Sequence, residues 1–134
     1  LSQQLLKAVL RQGLFDRHTE ILRRVYQHKR DITLQILQDT FPPEAEWVVP
    51  HGGFYFWITL PGRIDTGPGG ELFQQALEEK VLYVPGCLCY SPDRPEAQKS
   101  SALRLSYGMI GEEKLREGCR RLGAALARFA VPTA

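Results

Sequence analysis

The stretch Pro50-His51-Gly52-Gly53-Phe54-Tyr55-Phe56-Trp57-Ile58-Thr59-Leu60-Pro61 constrains the fold more than any other part of the chain. Aromatic and β-branched residues run unbroken between a glycine pair and a proline, which predicts a strand of limited length entered through a turn. Period two sends Phe54, Phe56, Ile58 and Leu60 to one face, and Tyr55, Trp57 and Thr59 to the other. Both sets are rich in apolar surface, so the expectation is a strand covered on both faces. A shorter candidate strand, Glu46 to Val49, precedes the turn, and this connection favours an antiparallel pair. Val81 to Val84, ended by Pro85-Gly86, and Ala102 to Tyr107 read as a third and a fourth strand.

Between and around the strands the apolar period changes to 3.6. Leu1, Leu5, Leu6, Val9 and Leu10 share one side of a short helix, and Gly13 stands where a left-handed cap would end it. Asp16 is the expected N-cap of a longer helix to about Asp39, with Ile21, Leu22, Val25, Tyr26, Ile32 and Ile36 on a broad apolar arc. Pro42 and Pro43 close it. Pro61 to Gly70 is a Pro/Gly-rich loop feeding a helix to about Glu79, with Leu72, Phe73, Ala76 and Leu77 as its buried stripe. A last helix runs from about Gly111 to Phe129 with Leu115, Cys119, Leu122, Leu126 and Phe129 inward, and Glu112 and Glu113 near its positive end. Ser91 to Ser101 reads as an exposed excursion. The order predicts an α+β fold: residues 1–134 as a single domain with a small, mainly antiparallel or mixed sheet and helices packed on it.

A chain of 134 residues buries roughly two-thirds of its unfolded surface, enough for a core without staples. Its net charge of +2 supplies no blanket attraction for nucleic acid or an anionic membrane. No apolar run reaches the roughly 18 residues of a membrane span, and no signal peptide opens the chain, so a cytoplasmic protein is expected. The first residue is Leu1, already in a helical pattern, which is the expectation for a piece excised from a longer protein. Cys87, Cys89 and Cys119 are an odd number and are expected to be reduced.

One residue stands out chemically. In Leu103-Arg104-Leu105-Ser106-Tyr107, alternation separates Arg104 and Ser106 from their apolar neighbours. A guanidinium fixed on a strand presents a rigid fork that fits a carboxylate, although a solvent-facing arginine would satisfy the same pattern. Lys29 falls within the arc of Val25, Ile32 and Ile36, where it either snorkels past apolar neighbours or meets an acidic partner. Other candidates are weaker. The cysteines lack histidines at ligand spacing, so no metal is expected. His18, His28 and His51 lie in unrelated settings and suggest no nucleophilic dyad. Gly67-Pro68-Gly69-Gly70 lacks the ending of a phosphate-binding loop and reads as a turn. None of the lysines stands where its pKa would obviously fall for Schiff-base chemistry.

Taken together, Tyr26-Gln27-His28-Lys29-Arg30-Asp31, Trp47 to Pro61, Val81-Leu82-Tyr83-Val84-Pro85-Gly86 and Leu103-Arg104-Leu105-Ser106-Tyr107-Gly108 resemble the C-terminal small domain of class I/II (fold type I) aminotransferases that use pyridoxal phosphate. The likeness is to the branch of aminoadipate- and kynurenine-type transaminases and MocR-like regulators. It implies that Arg104 binds the α-carboxylate of an amino acid or 2-oxo acid, and that the domain closes over the substrate as a lid. It further implies a homodimeric parent whose N-terminal large domain holds pyridoxal 5'-phosphate. That large domain has no counterpart here, so no catalytic or cofactor-binding residue is assigned, and the fragment is expected to bind no cofactor and to be inactive alone. Where many relatives place a glycine before the valine of the third strand, this chain has Lys80, and Cys89 takes a place often held by an aromatic. A free-standing or regulator-fused α+β module sensing a small carboxylate through Arg104 is the alternative reading.

Overall fold

The computed structural model describes residues 1–97 and 100–129. Helix α1 (Ser2–Arg11) and helix α2 (Leu14–Thr40) are separated by Gly13, whose φ of 65° is the left-handed turn that ends one helix and begins the next. The Gly13 amide donates to the Leu10 carbonyl. Because the glycine restarts the helix at once, Asp16 lies in the first turn of α2 and is not its cap, where its charge still favours the positive end. At the far end Phe41 is extended, as the clash with the following Pro42 requires.

Four short strands follow, β1 (Glu46–Trp47), β2 (Tyr55–Thr59), β3 (Val84–Pro85) and β4 (Ala102–Ser106), in the order β1-β2-β4-β3 with every pair antiparallel. β4 is therefore internal, with β2 on one side and β3 on the other. Helix α3 (Glu71–Glu78) joins β2 to β3, and helix α4 (Glu112–Ala127) follows β4. Phe56 and Ile58 of β2 and Leu103 and Leu105 of β4 form one buried cluster with Ile32, Ile36 and Leu37 of α2, Leu72 and Ala76 of α3, and Leu115, Cys119, Leu122 and Leu126 of α4. The result is the expected α+β arrangement, with its sheet wholly antiparallel. No helix among the described residues is long and apolar enough to cross a membrane.

Three expectations change. The second face of β2 is not covered: Tyr55 is 48% exposed and Thr59 is also exposed, while Trp57 is half-buried. The apolar arc of α2 is buried only from Ile32 onward, and Ile21, Leu22 and Val25 stay exposed among the described residues. The excursion is exposed from Ser91 to Glu96, yet Ser100 is buried, its hydroxyl accepting from the Ala102 amide. Gln98 and Lys99 lie outside the described residues, as do the last five.

The third strand is also displaced, to Val84–Pro85. The preceding residues are occupied in ending α3: the Lys80 amide donates to the Leu77 carbonyl and the Val81 amide to that of Ala76. This bond pair is a Schellman cap, and it places Lys80 at the position that needs a left-handed backbone. Its φ is 59°, a positive φ in a residue other than glycine. Lys80 thus occupies a glycine site at a cost in backbone energy. Lys80→Gly is expected to raise the unfolding free energy by about 1 kcal/mol, the relief of left-handed strain less the entropy of the added glycine. Urea denaturation of the two proteins measures it.

Candidate functional site

Arg104 sits at the centre of the sheet, opposite Trp57 of β2 and Val84 of β3. Its neighbours Leu103 and Leu105 are locked into the core, so alternation fixes Arg104 on the opposite, open face. Three residues on, Tyr107 is again in the core: its ring packs 5.7 Å from that of Phe56, and its hydroxyl donates to the Gly53 carbonyl at 3.0 Å. Burial pushes the Tyr107 hydroxyl pKa up, which keeps it a neutral donor. The backbone beneath Arg104 is consequently held from both sides.

Around the guanidinium the surface is aromatic. The Arg104 Cζ atom lies 4.9 Å from the centre of the Tyr55 ring, and Trp57 is braced edge-on by Tyr90 at 5.8 Å. Among the described residues Arg104 makes neither an ion pair nor a side-chain hydrogen bond. A half-buried, unneutralised guanidinium beside an aromatic ring keeps its N–H donors open to an anion. Sequence alternation identified Arg104 but not Tyr55, Trp57 and Tyr90 as its surroundings. The register between β2 and β4 is a property of pairing, and Tyr90 follows a short 3₁₀ turn (Gly86–Cys89) that no periodicity announces.

Lys29 has a different task. Its ammonium donates to the carbonyls of Gly108 at 3.1 Å and Ile110 at 2.7 Å, and lies 5.8 Å from the centre of the Tyr26 ring. Among the described residues it meets backbone, and no acidic side chain, and so ties α2 to the turn that leaves β4. His28 extends this tie to Glu112 at 3.1 Å. The Glu112 carboxyl is held below its ordinary pKa first by Arg116 and then by His28. The other candidates stay apart. Cys87 and Cys119 are buried and Cys89 is exposed; burial pushes the Cys119 thiol up to about 11, as expected of an inert core thiol. Gly67 to Gly70 forms a turn closed by the Gly70 amide on the Gly67 carbonyl.

A cleft of about 530 Å³ lies between α2 and the Pro50–Phe54 turn, walled by Tyr26, Arg30, His51, Phe54 and Tyr107 among others, and Arg104 is not in its wall. Both arginines of its wall are engaged: Arg23 lies 3.9 Å from Glu20, and Arg30 Nη2 lies 2.6 Å from Asp31 while its Nη1 donates to the Pro50 carbonyl. Lys29 is bound by carbonyls, whereas Lys7, Lys80 and Lys114 are exposed and no aromatic ring is paired with their ammonium groups. No three His, Cys, Asp or Glu side chains converge among the described residues.

No protein-family model matches the chain. The 2-aminoadipate transaminase of Thermus thermophilus is 37% identical over 126 residues, 94% of this chain and 30% of that protein. The crystal structure of kynurenine aminotransferase from Pyrococcus horikoshii superposes with a TM-score of 0.79 at 28% identity, covering 92% of this chain and 29% of that one. The chain is related in sequence and fold to a part of the aminotransferases. A helix-turn-helix transcriptional regulator of Staphylococcus aureus, NorG, is also 32% identical over 91% of the chain and 26% of its own length, in keeping with the resemblance to MocR-like regulators. The chain spans about 30% of the length of the aminotransferases it matches.

The carbonyl clamp of Lys29 carries a stability consequence. Lys29→Met removes the shared donor of the part-buried Gly108 and the exposed Ile110 carbonyls, at an expected cost of about 0.5–1.5 kcal/mol. Thermal or urea unfolding reads the loss. Faster amide exchange confined to residues 108–112 would locate it.

Proposed function

We propose that this chain is the C-terminal small domain of a pyridoxal-phosphate-dependent aminotransferase, in which Arg104 binds the α-carboxylate of the amino-acid or 2-oxo-acid substrate. The observation that carries the reading is the unneutralised guanidinium at the centre of the sheet, on the face away from the core. Its planar fork matches a carboxylate in a bidentate pair, and the rigid strand beneath it limits the entropy lost on binding. The Tyr55 ring beside it holds the cation through its face and leaves the N–H donors for the carboxylate.

Catalysis then divides between two parts of one protein. The cofactor, when bound in the larger N-terminal domain, supplies the electron sink for amino transfer. Arg104 fixes the substrate end that does not react, and closure of the small domain removes water from the site. The exposed apolar arc of Leu5, Leu6, Leu10, Ile21, Leu22 and Val25 suits contact with that larger domain. Under this reading the intact protein is a cytoplasmic homodimer, and the domain alone is inactive.

Two experiments test this. In the full-length protein, Arg104→Gln is expected to lower kcat/KM by about two to three orders of magnitude, the cost of removing a bidentate charged partner. Unchanged kinetics would remove Arg104 from substrate binding. Separately, pyridoxal phosphate added to the isolated chain is expected to give no lysine-linked visible absorbance, while the full-length protein develops it. Such a band from the chain alone would overturn the division of labour.

A further inference from the structure

Arg104 has an unusual anchorage. An arginine side chain carries about 2 kcal/mol of rotamer freedom, and a receptor fork must be ordered before its ligand arrives if it is to bind well. Proteins commonly order an arginine with a carboxylate, but such a partner occupies the donors that a substrate needs. Here no acidic side chain pairs with Arg104 among the described residues; what touches the guanidinium is the Tyr55 ring, 4.9 Å from Cζ. Stacking on a ring holds the cation through its face and uses none of its N–H groups.

The sheet explains how Tyr55 comes to be there. It pairs with Ser106, so it stands diagonally across from Arg104, within reach of an aromatic side chain. Trp57, directly opposite Arg104, has its ring engaged by Tyr90. The Tyr55 hydroxyl makes no hydrogen bond among the described residues, and the side chain is half-exposed. Its ring contributes little to the core. We propose that Tyr55 is a positioning residue: its ring orients the Arg104 fork while leaving every donor available to a carboxylate. The inference rests on the reading of Arg104 as a carboxylate receptor.

The test is the Arg104 side-chain Nε–Hε resonance in the 134-residue chain, assigned by its absence in Arg104→Lys. In the parent sequence and in Tyr55→Phe the signal is expected to be displaced upfield by the ring. In Tyr55→Leu it returns to the ordinary arginine position, with circular dichroism unchanged because the side chain lies outside the core. Acetate, with chloride at equal ionic strength as the control, is expected to shift the signal, with an apparent affinity about five- to tenfold weaker in Tyr55→Leu. An undisplaced signal in the parent sequence, or equal acetate affinity in Tyr55→Leu, overturns the positioning role. A displaced signal that acetate does not move overturns the carboxylate reading itself, and with it the purpose of the stack.

Discussion

The pairing of β2 with β4 runs from Tyr55 opposite Ser106 to Thr59 opposite Ala102, and the rest of the domain depends on its register. A slip of one residue would turn Leu103 and Leu105 to the open face and drive Arg104 into the core, where an unpaired charge is costly. The buried cluster that α2, α3 and α4 form with Phe56, Ile58, Leu103 and Leu105 therefore selects the face of the arginine as firmly as it stabilises the fold. Packing on one side of the sheet places chemistry on the other.

The turns around β4 are fastened with comparable care, and by polar groups. At its start Thr66 is fully buried, its hydroxyl bonded to the carbonyls of Ser100 and Ala102, while the Tyr83 hydroxyl donates to the Thr66 carbonyl. At its end Lys29 and Tyr107 take up the carbonyls of Gly108, Ile110 and Gly53. A short strand cannot define its own ends by ladder bonds alone, and carbonyls left open there, the buried Ala102 and Ser100 ones above all, would be costly. Satisfying them from distant side chains ties α2, the Thr66 loop and the Gly53 turn to the strand that carries Arg104.

Much of this was legible in the chain because the signals were periodic. The inward stripe of α4, the alternation of β4 and the isolation of Arg104 could be read from spacing, since each follows from the geometry of a single element. The family likeness supplied the proposed role of Arg104, which spacing alone left open between a receptor and a solvated surface. Non-local features were not legible. The neighbours of Arg104 depend on register, the carbonyl clamp of Lys29 depends on a turn some 80 residues away in sequence, and the brevity of β3 follows from a Schellman cap at Lys80. In that last case the departure from a glycine was visible, but its meaning needed the φ of 59°.

The misjudged coverage of β2 and α2 is the most informative departure. Alternation in β2 and the arc of α2 both called for partners that the described residues do not supply: Tyr55 stays half-exposed, and Leu22, Val25 and Ile21 stay open. A domain selected to stand alone would be expected to place polar groups at such positions, because exposed apolar patches invite association. Under the proposed function the pattern suits a domain shaped against a larger body, with one surface for docking and another for closing over a substrate. The same proposal accounts for the unneutralised Arg104. Tyr55 stabilises the cation only modestly, and under that proposal the carboxylate that completes its pairing is brought by the substrate.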